Sequence, residues 1–278
     1  MGYFLTPVYV ALSSISLGLA VILYVSHSID RRSTSAPYGR FDLLLFSLLV
    51  YCIAVEGDAI ISTLGADDAT LTFSYFILCI FAYTLTLTYT LYASETICRN
   101  SARRKIADRS FIALYMVFMV LFLILAPGGL FFTFKDGVIH KERFFYLGVF
   151  YIYFSTFLCF LLSCCCRAPG RVKRAYLFYF LIMVFSYVLE EKLVTGSIIS
   201  CAATLSVTII YINIYSAHYR SKLEIERELT EERMRMLLWQ MQPHFIYNSL
   251  SCIQQLCKNH RRMPKKLWTS FPNICAAI

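Results

Sequence analysis

The chain has 278 residues, of which 58% are hydrophobic and only 15% charged, far fewer charges than the roughly 25% of a soluble globular domain. The formal net charge is +9, but the basic residues sit in short loops between apolar runs, where membrane topology accounts for them. Composition therefore excludes an ordinary soluble domain and makes no case for nucleic-acid binding.

Residues 1–7 lack the basic n-region of a cleaved signal, and the apolar run after them is long enough to cross a bilayer, so it reads as a retained first helix. Seven apolar stretches succeed one another near residues 8–26, 42–64, 71–94, 111–132, 144–166, 175–189 and 197–215, against the roughly 20 residues that a crossing needs. The sixth is the shortest. Pro127, Gly128 and Gly129 predict the end of the fourth helix. The first, third and fifth loops carry Arg31, Arg32 and Arg40, then Arg99, Arg103, Arg104, Lys105 and Arg109, then Arg167, Arg171, Lys173 and Arg174. The even loops hold only Lys135, Lys141, Arg143 and Lys192. The positive-inside rule then puts Met1 outside and the C-terminus in the cytoplasm. Tyr3, Phe4, Phe144, Phe145, Tyr146 and Tyr215 stand at span ends, as interfacial anchors do.

Two carboxylates, Glu56 and Asp58, fall inside the second stretch. An ionisable group in hydrocarbon is costly and usually faces the bundle interior, which makes them candidates to line a ligand path. Equally, Gly57 and Asp58 mark the outer end of a shorter helix, with both carboxylates in headgroup water. The eleven cysteines lie in spans or on the cytoplasmic side, which argues against a disulfide framework, and without a CxxC pair or a His/Cys cluster a metal site has no support. Cys164, Cys165 and Cys166 stand at the inner end of the fifth span, a place for S-palmitoylation or for plain small-residue packing.

Beyond the seventh stretch, residues 216–236 alternate Arg220, Lys222, Arg227, Arg233 and Arg235 with Glu224, Glu226, Glu228, Glu231 and Glu232, without Pro or Gly. Tyr215, Lys222, Leu229 and Met236 share one heptad position, and His218, Ile225, Glu232 and Trp239 another, a weak and polar coiled-coil seam that is either a signalling helix or a solvated spacer.

The helix then enters QMQPHFIYNSLSCIQQL, residues 240–256. Met241, Phe245, Cys252 and Leu256 form an apolar seam, and Gln240, His244 and Asn248, four apart, rise on one face beside it. Pro243 breaks the ladder of backbone hydrogen bonds before the histidine and predicts a helix start or kink there. A neutral imidazole keeps an unprotonated ring nitrogen, a nucleophile able to take a phosphoryl group, although an isolated histidine on a helix is more often a solvated or core residue.

The string resembles the phosphoacceptor box of the LytS/YehU-like branch of bacterial sensor histidine kinases, with its Q-x-x-P-H-F-x-[FY]-N-x-L pattern. The resemblance implies that His244 is the phosphorylated residue, with Asn248 and Gln240 as polar neighbours and Phe245, Tyr247 and Leu250 as packing positions. It also implies ATP as phosphoryl donor, a response regulator as acceptor, a homodimer through the cytoplasmic helix, and a multi-pass protein of the bacterial inner membrane. The expected fold is an all-α membrane protein: seven transmembrane helices over residues 1–215, a signalling helix over 216–239 and the start of the phosphoacceptor and dimerisation domain over 240–258. No Gly-rich loop, D-x-G-x-G string or N-box comes after the histidine helix, so the ATP-binding domain is expected outside this chain, whose own kinase activity is left open. The tail, residues 259–278, loses the apolar period. Codons chosen for it within the code's degeneracy, read two bases later, spell PPEDAEEALDKFSKYLRGN, similar to the segment beyond the acceptor helix in this family, so a shifted reading frame is the expectation. The alternative from another class is a non-enzymatic seven-helix receptor or small transporter, without a visible internal repeat.

Overall fold

The fold is that of a computed structural model, which describes residues 2–33, 39–98, 100–135, 137–166, 168–193 and 198–259. Its elements are α1 (Gly2–Ser33), α2 (Gly39–Thr63), α3 (Asp68–Ile97), α4 (Ser101–Leu125), β1 (Phe132–Lys135), β2 (Val138–Lys141), α5 (Phe145–Cys165), α6 (Gly170–Leu193) and α7 (Ile198–Asn259). The chain divides into two compact units, Met1–Ile212 and Asn213–Ile278.

Among the described residues of the first unit, six helices are long and apolar enough to cross a membrane, α1 through α6. The expected seventh span is shorter by that measure: the apolar part of α7 is Ile198–Ile212, and Asn213, Ser216 and His218 come after it. The sixth, expected to be the shortest, is a 24-residue helix. Its first turns carry Lys173 and Arg174, which lower the hydropathy without stopping the helix, because long basic side chains reach out to water from an apolar stem. The same holds for α4, which begins ten residues before its apolar stretch, capped by the Asn100 side chain accepting from the Ala102 N–H at 2.9 Å. It stops at Leu125, before Pro127 and Gly128, as those residues predict.

Side-chain pairs fix how neighbouring helices run. Tyr9 meets Asp58 and His27 meets Asp42, so α1 and α2 are antiparallel. Ser74 meets Asp58, while Ser47 meets Thr88, so α2 and α3 are antiparallel too. Along α1 and α7, Ser16 lies against Ser200 and His27 against the ring of Tyr211, a parallel pair. Several of these contacts join small hydroxyl residues buried between helices, such as Ser16, Ser47 and Thr88, whose hydroxyls also bond to carbonyls three residues back. Outward, α1, α3, α4 and α6 show Ile22, Phe73, Val117, Ile124 and Phe185. Small polar residues inside and large apolar ones outside is the distribution expected where lipid, not water, surrounds the bundle.

One element is not helical. The sequence runs FTFKDGVIHK, and β1 pairs antiparallel with β2 in the register Phe132↔Lys141, Thr133↔His140, Phe134↔Ile139 and Lys135↔Val138. Gly137 takes φ 73°, the left-handed conformation that the two-residue turn demands. Phe132 and Phe134 share one face and stack edge-on against Tyr75 of α3 at 4.8 and 6.0 Å. The Gly137 N–H donates to Asp68 at 2.9 Å, fixing the turn to the first residue of α3. Beneath the hairpin lies an aromatic core of Tyr83, Phe118, Phe122, Phe131, Phe132 and Tyr151.

Candidate functional site

In the second unit α7 is helical through the histidine box to Asn259. The helix therefore does not start at Pro243, the first of the two outcomes expected there. Gln240, His244 and Asn248 lie in this helix at four-residue spacing, which keeps them on one side of it. The side chains of Gln240 and His244, and those of Met241 and Leu256 in the apolar seam, lie outside the described residues; so does the tail from residue 260 onward. Asn248 and Cys252 are exposed, and so are Trp239, Phe245, Tyr247 and Leu250, with Trp239 79% and Phe245 62% accessible. Upstream, Arg227 and Glu231 form an i,i+4 pair at 3.1 Å, a surface contact worth a few tenths of a kcal/mol.

In the first unit α2 continues past Gly57 to Thr63, so Gly57 and Asp58 do not end it. Asp58 is 7% exposed and accepts from the hydroxyls of Tyr9 and Ser74, both at 2.8 Å. Glu56 accepts from Ser14 at 2.9 Å, while its other carboxylate oxygen is buried without a partner among the described residues.

Sequence reasoning missed a cavity of about 220 Å³ at the hairpin end of this unit. Neither Glu56 nor Asp58 lines it, although Tyr9, the partner of Asp58, does. Its walls include the six tyrosines Tyr9, Tyr51, Tyr75, Tyr83, Tyr153 and Tyr187, with Lys141, Glu190 and Glu191 as ionisable groups. Lys141 is paired with Glu191, and Glu190 accepts from the Ile199 N–H at 3.0 Å. The only signal in the sequence was the frequency of tyrosine, 20 in the chain, which does not say where they meet.

At the other end of the helices, Arg40 on α2 donates to both oxygens of Asp108 on α4, at 2.9 and 2.6 Å, and to the Leu91 carbonyl at 2.9 Å. Cys98 and Cys166 stand just past the ends of α3 and α5, their sulfurs 3.7 Å apart, and burial pushes the Cys98 thiol up from its ordinary range. Among the described residues no group of His, Cys, Asp or Glu side chains could hold a metal ion.

Residues 232–275 match a protein family described as histidine kinase. No curated protein matches the chain. The matched stretch contains the whole histidine box and runs on into the tail that its lost apolar period sets apart. It supports a histidine-kinase family for this segment and, with six membrane-type helices before it, a membrane histidine kinase.

Proposed function

We propose that the chain is the sensing and phosphoacceptor part of a membrane sensor kinase of the LytS/YehU-like branch in a two-component system, and that His244 carries the phosphoryl group. The observation behind this reading is where the box falls. The box with Gln240, Pro243, His244, Phe245 and Asn248 lies inside the stretch that matches a histidine kinase. In the reaction a neutral ring nitrogen of His244 attacks the γ-phosphorus of ATP in line, the bond to the β,γ-bridging oxygen breaks, and ADP leaves. The phosphoryl group then passes to a carboxylate oxygen of an aspartate on a response regulator. Such a transfer asks little of the acceptor beyond exposure and alignment, since positioning and electrostatics supply most of the catalysis. Gln240 and Asn248, on the histidine's side of the helix, are suited to orient the ring. ATP is held by an ATP-binding domain that acts on the box from outside the motifs of this sequence.

In this reading the apolar start of α7 completes a seven-helix bundle in the bacterial inner membrane, Met1 outside and the histidine box in the cytoplasm. The basic residues Arg103, Arg104 and Lys105 then face the cytoplasm, as the charge asymmetry of the loops requires. Glu56 and Asp58 belong to the input side, and the box works in a homodimer.

The test is phosphorylation of membranes containing the full chain by γ-labelled ATP and the ATP-binding domain of an intact kinase of this branch. Acid-labile, alkali-stable label on the chain, lost in His244→Gln, is the expected result. Absence of label while the added domain still phosphorylates its own acceptor helix overturns the reading and leaves a non-enzymatic receptor or transporter.

A further inference from the structure

We propose that the cavity beneath the hairpin is a binding site for a small organic cation, an amine or quaternary ammonium with a short polar arm. The proposal does not rest on the phosphoryl-transfer reading, because it concerns only the first unit and its test uses no ATP.

Three features of the walls lead to it. The first is charge. One lysine and two glutamates line the space, and Lys141 is already paired with Glu191. Glu190 takes a single hydrogen bond, from the Ile199 N–H, and forms no salt bridge among the described residues, Lys141 acting on it only at longer range. A carboxylate has about four lone-pair sites, so one donor leaves most of its accepting capacity unused. The second is the aromatic surface. Tyrosine faces carry negative potential and attract a desolvated cation, and rings together make the cages that take quaternary ammonium groups. The third is the hydroxyl groups. Tyr9 donates to Asp58 and Tyr153 to the Met183 carbonyl, whereas Tyr51 and Tyr75 have no hydrogen-bond partner among the described residues. Both can meet the polar arm of a ligand.

Size narrows the class. At about 220 Å³ the cavity exceeds the ~150 Å³ that accommodates benzene and falls below the ~300 Å³ where drug-sized pockets begin. An anion would face an excess of carboxylates whose one lysine is already paired. A neutral apolar guest would strip water from Glu190 and from two hydroxyls without replacing it. A bare metal ion would want more oxygen, nitrogen or sulfur ligands than the walls bring together. The hairpin forms part of the roof through Phe132, Ile139 and Lys141, so an occupant would touch the element that the Asp68–Gly137 bond fixes to α3.

The test is calorimetric titration of the full chain in lipid nanodiscs with choline chloride and, separately, with 3,3-dimethylbutan-1-ol, the uncharged isostere of choline. We expect saturable choline binding and at least about tenfold weaker binding of the isostere. Glu190→Gln should weaken choline binding by about tenfold or more, while Glu190→Asp, which keeps the charge, should hold most of it. If Glu190→Gln does not fold, the comparison of the two ligands on the unaltered chain decides alone. No saturable choline binding, equal binding of the isostere, or an unchanged affinity in folded Glu190→Gln would each overturn the proposal.

Discussion

Gly148 of α5 lies directly under the phenol of Tyr83 on α3: a β-carbon built at Gly148 would overlap the Tyr83 hydroxyl and stand 3.3 Å from the ring carbon that bears it. Three aromatic rings hem the phenol in on the sides away from the cavity. It is 5% exposed, with Phe118, Phe122 and Tyr151 edge-on around it at 4.7, 5.1 and 5.8 Å. Gly148→Ala should therefore cost about 1–3 kcal/mol through overpacking, despite the better helix propensity of alanine. The double variant Gly148→Ala/Tyr83→Phe removes the overlapping oxygen and should recover most of that loss. Thermal unfolding in nanodiscs of both singles and the double gives the coupling, and strictly additive losses would mean that the two residues do not oppose each other.

A second expectation concerns Arg40 and Asp108. The guanidinium grips the carboxylate with two nitrogens and also holds the Leu91 carbonyl and Ser94, so α2, α3 and α4 are fastened at one point. Arg40 is about a third exposed, and solvent screening brings the contribution below that of a fully buried pair. Asp108→Ala, which strands the guanidinium, should cost about 1–3 kcal/mol. Arg40→Lys should retain little of the cluster's contribution, because an ammonium cannot present the planar fork. If Asp108→Ala and Arg40→Lys both unfold at the temperature of the unaltered chain, the cluster is incidental.

Much of this architecture can be read from the residues, and the remainder is hidden for identifiable causes. The six long helices are legible in the hydropathy, but their ends are not, because Arg103, Arg104 and Lys105 in α4 and Lys173 and Arg174 in α6 are charged residues that remain helical. The hairpin is written in the Asp136–Gly137 dipeptide and the alternation of Phe132 and Phe134. It was obscured because Leu130, Phe131 and Phe132 keep the hydropathy high past Pro127, Gly128 and Gly129, so that the fourth apolar stretch runs into the first strand. The histidine box is legible because its polar residues recur at helical spacing along one continuous stretch. The cavity is not, since Tyr9, Tyr75, Tyr153 and Glu190 come from four different helices and meet only through packing.

Cysteine reactivity offers a third measurement. Cys164 and Cys165 are exposed, whereas Cys98 is buried and its thiol is held above the ordinary range, by burial first and by Cys166 beside it. Thiolate is the reacting species and the reagent must also reach it, so alkylation should modify the exposed Cys164 and Cys165 while the buried Cys98 stays largely protonated and unlabelled. The sign for stability is negative. An unfolded Cys98 would ionise at lower pH than the folded one, so unfolding releases a proton there and stability falls as pH rises through that interval. Mass spectrometry after alkylation at several pH values checks the order, and early labelling of Cys98 would contradict it.

The last expectation concerns the second unit. Trp239, Phe245, Tyr247 and Leu250 are all more than half exposed on a helix whose remaining surface is charged upstream, at Glu224, Glu226, Arg227 and Glu228. Large aromatic and aliphatic side chains left in water favour association, and a second copy of the same helix offers a matching stripe at the same spacing. In the proposed dimer the exposed Cys252 shares the face of Phe245, seven residues before it, on the seam that the sequence marks with Met241 and Leu256. In native membranes a short bifunctional thiol reagent should therefore yield a covalent dimer in a chain whose other cysteines are replaced by serine. Phe245→Asp should abolish it, since two carboxylates would then oppose each other across the seam. Dimer yield is read on a denaturing gel, with Cys252→Ser as the blank. A chain that remains monomeric while Cys252 is fully modified would show that the stripe is covered by something other than a second copy.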